Sequence, residues 1–282
     1  MPYVTNHGVR IHYEVEGSGA PLVLHHGVFG RGEIWQNFGY ASVLKRDRRL
    51  ILLDARGHGA SDKPYEPSAY DLPLRVTDVT AVLDALQIDR ADYWGYSMGG
   101  WIGFGMAKYA PQRCRSLILG GAHPFYENMQ PFRDLMPQEP AAFAAMIDKF
   151  FGSYLTPEIR TGMLANDFKA LLALTQDRAP LADVLLEMSM PCLLYVGEAD
   201  PRFAHVQECV KVLANVTFFS LPGCDHVAGF ARSDPVLPHV IGFFAHTDNR
   251  CSLRLDPPAE CAEIPLVSRR REAIGRHPII SG

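Results

Sequence analysis

Apolar residues along this chain keep two rhythms. Short runs at residues 21–25, 49–53, 91–96, 116–120, 192–196 and 216–221 are almost continuously apolar, and runs of that length predict strands buried on both faces. Between them apolar positions recur at helical spacing. Val76, Val79, Leu83 and Leu86 share one side of a segment opening at Asp71, the expected N-cap, with Pro73 in the first turn. Residues 98–109 predict a second helix, in which Gly99, Gly103 and Ala107 make a smooth stripe suited to close packing on a sheet. Further helices are expected over 204–213 and 236–246, with a weaker one over 33–45. Alternation of this kind predicts parallel βαβ units, and so an α/β fold with a mostly parallel sheet covered by helices on both faces. The N-terminus differs: alternation at residues 3–5 and 9–15 around Asn6-His7-Gly8 predicts a hairpin.

The rhythm breaks after His123. Residues 125–190 show no strand pattern but several helical pieces, at 141–154, from Thr156-Pro157, at 167–176 and at 181–188. The expected organisation is a core of residues 1–124 and 191–246, a helical insertion at 125–190, and a disordered tail at 247–282. The insertion is rich in methionine and phenylalanine. These side chains either fix it to the core or line an adaptable apolar pocket. The tail lacks aromatic residues and lysine, and Arg269-Arg270-Arg271 reads as a solvated charge run rather than a docking motif.

Composition narrows the function. A chain of 282 residues, 48% hydrophobic and 21% charged, can bury a full core without disulfides or a structural metal. A formal charge of −4 leaves no positive field for a polyanion, which argues against nucleic acid as a partner. No membrane partner is expected, since no apolar run reaches 18 residues and no basic-then-apolar leader opens the chain. The six cysteines form no CxxC pair and are expected as reduced thiols in a cytoplasm, Cys251 and Cys261 being the pair nearest in sequence.

The chemistry concentrates at Gly95-Tyr96-Ser97-Met98-Gly99. This GxSxG lies between a predicted strand and a predicted helix, the setting of a nucleophile elbow, where flanking glycines permit a sharp turn that presents the serine oxygen at a helix N-terminus. A serine hydroxyl needs a base. His226, in the loop after the last predicted strand, is the expected one, with His123 and His205 as rivals. The carboxylate that orients it is expected to be Asp200, after the strand ending at Val196. Glu198 and Asp225 are less well placed. Oxyanion donors are expected from the N–H groups of Met98 and of Val28, or of Phe29, in the glycine-flanked loop 26–30. Phe29, Trp35 and Trp101 are candidate walls of a substrate pocket, against a reading as core packing. No metal-binding cluster, dinucleotide GxGxxG or P-loop is present, so no metal or cofactor is expected.

Taken together, the His26-Gly27-Val28-Phe29-Gly30 loop, the segment Asp54-Ala55-Arg56-Gly57-His58-Gly59-Ala60-Ser61, the elbow, Asp200 and His226 resemble the α/β-hydrolase superfamily over about residues 3–246. The resemblance implies that Asp54 to Ser61 is chiefly structural and that the insertion is a cap like that of lactonases, carbon–carbon bond hydrolases and strigolactone-receptor-like proteins. Haloalkane dehalogenases and most epoxide hydrolases of this fold carry aspartate at the elbow, and Ser97 argues against both. The implied activity is a cofactor-free serine hydrolase cleaving a small to medium, largely apolar ester or lactone through an acyl-enzyme. A carbon–carbon bond hydrolase or perhydrolase with the same triad, or a receptor with a vestigial one, are the alternatives. Oligomeric state is left open.

Overall fold

A computed structural model describes residues 2–136 and 139–252. The N-terminal hairpin joins β1 (Tyr3–Asn6) to β2 (Val9–Glu16) through His7 and Gly8, both at positive φ as a tight two-residue hairpin turn requires. After β3 (Ala20–His25), two short helical turns, Ile34–Asn37 and Tyr40–Leu44, replace the single weak helix expected over 33–45; Gly39, at φ +83°, breaks them apart. Then follow β4 (Arg48–Leu53), α1 (Leu72–Ala85), β5 (Ala91–Tyr96), α2 (Met98–Tyr109) and β6 (Cys114–Gly120). Asp71 precedes α1 with extended backbone, but its side chain makes no capping bond.

Between β6 and β7 (Cys192–Gly197) the chain leaves the sheet and forms α3 (Pro140–Phe151), α4 (Pro157–Leu164) and α5 (Phe168–Leu174). Thr156 and Asp167 cap α4 and α5 through their side-chain oxygens. The helix expected over 181–188 shrinks to one turn, Val184–Glu187. One extended contact appears where no strand signal exists: Glu127 and Arg178 exchange backbone hydrogen bonds as an isolated antiparallel bridge that ties the two ends of the insertion. The core resumes with α6 (Phe203–Val212), β8 (Val216–Leu221) and α7 (Ser233–Ser252).

The eight strands lie in the order β1-β2-β4-β3-β5-β6-β7-β8, with β1 and β2 antiparallel to their neighbours and the rest parallel. Chain order reverses at β3, whose neighbours are β4 on one side and β5 on the other. In parallel sheets such a reversal opens a crevice beyond the strand ends, the usual place for a ligand. All six residues of both β5 and β7 are buried, as their apolar runs predict.

Thr247, the expected start of a tail, lies inside a helix. α7 continues past His246, Thr247 is buried, and Asp248 pairs with the buried Arg48 and with Arg115. Asp248 thus ties this part of the helix to β4 and β6 by charge, which leaves no hydrophobic signature in the sequence. Residues 253–282, including Arg269 to Arg271 and Cys261, lie outside the described residues, as does the side chain of Cys251. Cys114, Cys192, Cys209 and Cys224 are free and buried. Among the described residues no helix is long and apolar enough to cross a membrane, and no group of three or more His, Cys, Asp or Glu side chains could hold a metal ion.

Candidate active site

Sheet register assembles the site. His25 of β3 pairs with Gly95 of β5, so two residues further on the loops bring Gly27 beside Ser97. A Cβ on Gly27 would lie 3.3 Å from that of Ser97. Ser97 itself stands between β5 and α2 with φ 55° and ψ −110°, a conformation costly for any residue with a side chain. Its N–H donates to Gly120 O at 2.8 Å, which locks the turn onto β6. The flanking glycines are required by space: a Cβ at Gly99 would meet His25 O at 2.2 Å, and one at Gly95 would meet Gly99 O at 2.1 Å.

Tyr96 Oη donates to His226 O at 2.6 Å and so fixes the loop after β8. His226 Nε2 then lies 2.9 Å from Ser97 Oγ, and Nδ1 lies 2.5 Å from Asp200 Oδ2. An aspartate accepts only, so Nδ1 carries a proton and Nε2 faces the serine as an acceptor. Asp200 is sealed from solvent in the turn after β7, and its Oδ1 accepts the Arg202 N–H at 2.9 Å. Burial alone would raise its pKa. The hydrogen bond and charge of His226, the Arg202 N–H and the Arg202 guanidinium outweigh burial and hold the carboxyl below the usual range.

The rivals lie elsewhere. His123 is buried against the rings of His205 and Phe125, at 4.5 and 5.7 Å, and burial pulls its pKa down to about 4. Glu198 accepts from Ser220 Oγ, and Asp225 caps the Ala228 N–H. The N–H groups of Val28 and Met98 have no acceptor among the described residues, which leaves both for a ligand. Val28 sits in a loop held from behind by His26, which donates from Nδ1 to Gly27 O and accepts the Ala55 N–H at Nε2. Asp54 serves the same frame by accepting from Gly32 N–H, Ala60 N–H and His12.

Ser97 and His226 lie on the wall of a cavity of about 350 Å³. Phe29, Phe132, Phe150, Phe151, Met129 and Met163 belong to its apolar lining, all but Phe29 from the insertion. Phe29 is thus a cavity residue; its φ is +73°, and Asn166 Nδ2 of the insertion donates to its carbonyl at 2.8 Å. Trp35 does not reach the cavity. It is enclosed by Tyr40, Trp94 and Phe230 at 4.9 to 5.3 Å. Its neighbour Ile34 lines the cavity instead, because one residue along a helical turn rotates the side chain by about 100°. Trp101 also misses it. One turn after Ser97, its ring has the Arg75 and Arg178 guanidinium groups over it at 5.6 and 5.1 Å, and it borders a separate niche of about 10 Å³ with Val28 and Met98.

Sequence reading missed Glu127, Asn166, Arg178 and Arg202. Glu127 bonds Arg178 Nη1 at 2.6 Å and Arg202 Nη2 at 2.5 Å, and Arg202 Nη1 lies 3.5 Å from His226 Nδ1. Since that ring nitrogen donates to Asp200, the guanidinium is a close charge there and not its hydrogen-bond partner. Only the position of Arg202, two residues after Asp200, offered any signal.

Residues 20–181 match the family described as alpha/beta hydrolase fold. This chain belongs to that family. It is 27% identical over 246 residues to a Bacillus subtilis protein provisionally named 2-succinyl-6-hydroxy-2,4-cyclohexadiene-1-carboxylate synthase, covering 78% of this chain and 89% of that one. It is 26% identical over 277 residues to a protein of Synechocystis sp. provisionally named non-heme chloroperoxidase, covering 86% and 99%. The crystal structure of an enol-lactonase from Burkholderia xenovorans superposes with a TM-score of 0.76 at 23% identity, over 86% of this chain and all of that one. This α/β hydrolase is accordingly an enzyme of the hydrolase class.

Proposed function

We propose that this α/β hydrolase is a serine hydrolase that cleaves small to medium, largely apolar carboxylic esters or lactones. The observation that carries the reading is the unbroken hydrogen-bonded chain from Ser97 Oγ through His226 to the buried Asp200, at the wall of an aromatic cavity. Ser97 Oγ attacks the substrate carbonyl while His226 Nε2 takes its proton, and Asp200 stabilises the imidazolium that forms. Charge on the former carbonyl oxygen meets the Val28 and Met98 N–H groups, at the N-terminus of α2. His226 returns the proton to the leaving alkoxide, which in a lactone stays tethered to the acyl group. Water then attacks the acyl-enzyme with His226 again as base, and the carboxylate product leaves. The insertion covers the cavity as a cap and excludes bulk water from the acyl-enzyme.

A fluorophosphonate probe tests the reading. The native chain is expected to become labelled at Ser97 and to turn over a 4-nitrophenyl ester many times per site, whereas Ser97→Ala is expected to do neither. Folded native protein that resists labelling would remove Ser97 as nucleophile. A single slow turnover would favour the receptor alternative. The name of the Synechocystis relative favours a second reading, perhydrolysis, in which hydrogen peroxide instead of water attacks the acyl-enzyme and a peracid leaves. Peracid formation from acetate and peroxide, lost in Ser97→Ala, checks it.

A further inference from the structure

Besides Ser97, His226 and Asp225, the otherwise largely apolar wall of the cavity carries Arg178 and Arg202. Arg178 is 5% exposed and spends one nitrogen, Nη1, on Glu127. Its Nε and Nη2 hold no hydrogen bond among the described residues, and Arg178 lines both the cavity and the niche beside Trp101. Burial lowers the Arg178 pKa to about 10, with Glu127 opposing, so the group stays charged at neutral pH.

The neighbouring charges do not cancel. Glu127 serves both arginines, Asp200 bonds His226 and lies 4.0 Å from Arg202 Nη1, and Asp225, also on the cavity wall, caps Ala228. Arg133 pairs with Asp177. The buried Arg75, whose guanidinium also lies over the Trp101 ring, donates only to the carbonyls of Tyr70 and Leu174. Three buried or half-buried guanidinium groups thus share two carboxylates, Glu127 and Asp200, and Arg178 has only Glu127, which it divides with Arg202. Uncompensated charge in such surroundings is costly, and an anion with oxygens to accept from Arg178 offsets it.

We infer that the substrate is an ester or lactone bearing a carboxylate, which Arg178 receives at the polar end of the cavity while the apolar remainder lies along the insertion's phenylalanines. This rests on the serine-hydrolase reading above and narrows it. The bond cleaved and the atoms transferred are unchanged.

The test compares 4-nitrophenyl monoesters of dicarboxylic acids, from glutarate to suberate, with neutral isosteres whose carboxylate is replaced by an isopropyl group. An apolar cavity without an anion site favours the neutral ester at every length, because the carboxylate must give up its water. At one chain length the anionic ester is expected to exceed its isostere in kcat/KM by about tenfold or more, the scale of a buried charge-assisted hydrogen bond. Arg178→Gln is expected to collapse that ratio to unity or below, and Arg178→Lys to retain part of it. Neutral preference at all lengths in the native chain, or a ratio unchanged in Arg178→Gln, overturns the inference; the native comparison decides even where the variant does not fold. Fluorophosphonate labelling is independent of acyl charge. Strong labelling without anionic preference overturns the carboxylate site alone, and absence of both labelling and turnover overturns both readings.

Discussion

Ser97 pays for its position in backbone conformation. At φ 55° and ψ −110° it lies outside the regions open to residues with a Cβ, and it stays there because β5, α2 and the Gly120 carbonyl fix it from three sides. Two variants separate this strain from the hydroxyl. Both Ser97→Ala and Ser97→Gly remove the oxygen, but only glycine relaxes the turn. Ser97→Gly is expected to be more stable than Ser97→Ala by about 1 kcal/mol, after allowing for the greater freedom of glycine in the unfolded chain. Urea denaturation of the pair measures the difference. Equal midpoints would mean that the turn holds no strain.

At the scale of elements, legibility followed the range of the interaction. The strands were readable because each is a run of adjacent buried residues, and the observed β5 and β8 coincide with the expected segments. The elbow was readable because its glycines are local steric necessities. Trp35 was not: the pattern places it on a short helical segment but does not say which side of that turn meets the cavity. The Glu127 to Arg178 bridge was invisible for another reason, since one bridged pair 51 residues apart leaves no periodicity. That bridge also bears on stability. Burial would raise the Glu127 pKa, but Arg178, Arg202 and His123 hold it below the usual range, so the carboxylate is charged between two guanidinium groups. Glu127→Gln leaves those cations facing each other with a neutral amide between them. A loss of about 3 kcal/mol is expected, the scale of breaking a buried pair from one side. A denaturation midpoint within a few tenths of a kcal/mol of the native one would show that water already screens the cluster.

Across the whole molecule, the groups around the site make stability depend on pH. Burial lowers the pKa values of His25, His26, His58 and His123, the last to about 4. His26 uses both ring nitrogens as a neutral imidazole, so a second ring proton would point at the Ala55 N–H. In the unfolded chain each histidine binds a proton near pH 6.5. Below that value the unfolded state holds more protons than the folded one, so stability falls with pH, by up to about 1.4 kcal/mol per pH unit for each histidine until its folded pKa is reached. Asp200 and Glu127 also have lowered pKa values and act in the same direction, but in a more acidic range. Their stabilising charge is complete above the ordinary carboxylate range, so their losses begin only below about pH 4.5. The melting temperature is therefore expected to be flat from pH 8 to 7 and to drop by on the order of 10 °C by pH 5, before the carboxylates contribute. His123→Phe isolates one member, since the ring sits among Phe125 and His205 and its Nδ1 has no partner. The variant should show a shallower decline between pH 6.5 and 4 than the native chain. A decline equally steep in both would remove His123 from the linkage and leave it to the three histidines behind the Val28 loop.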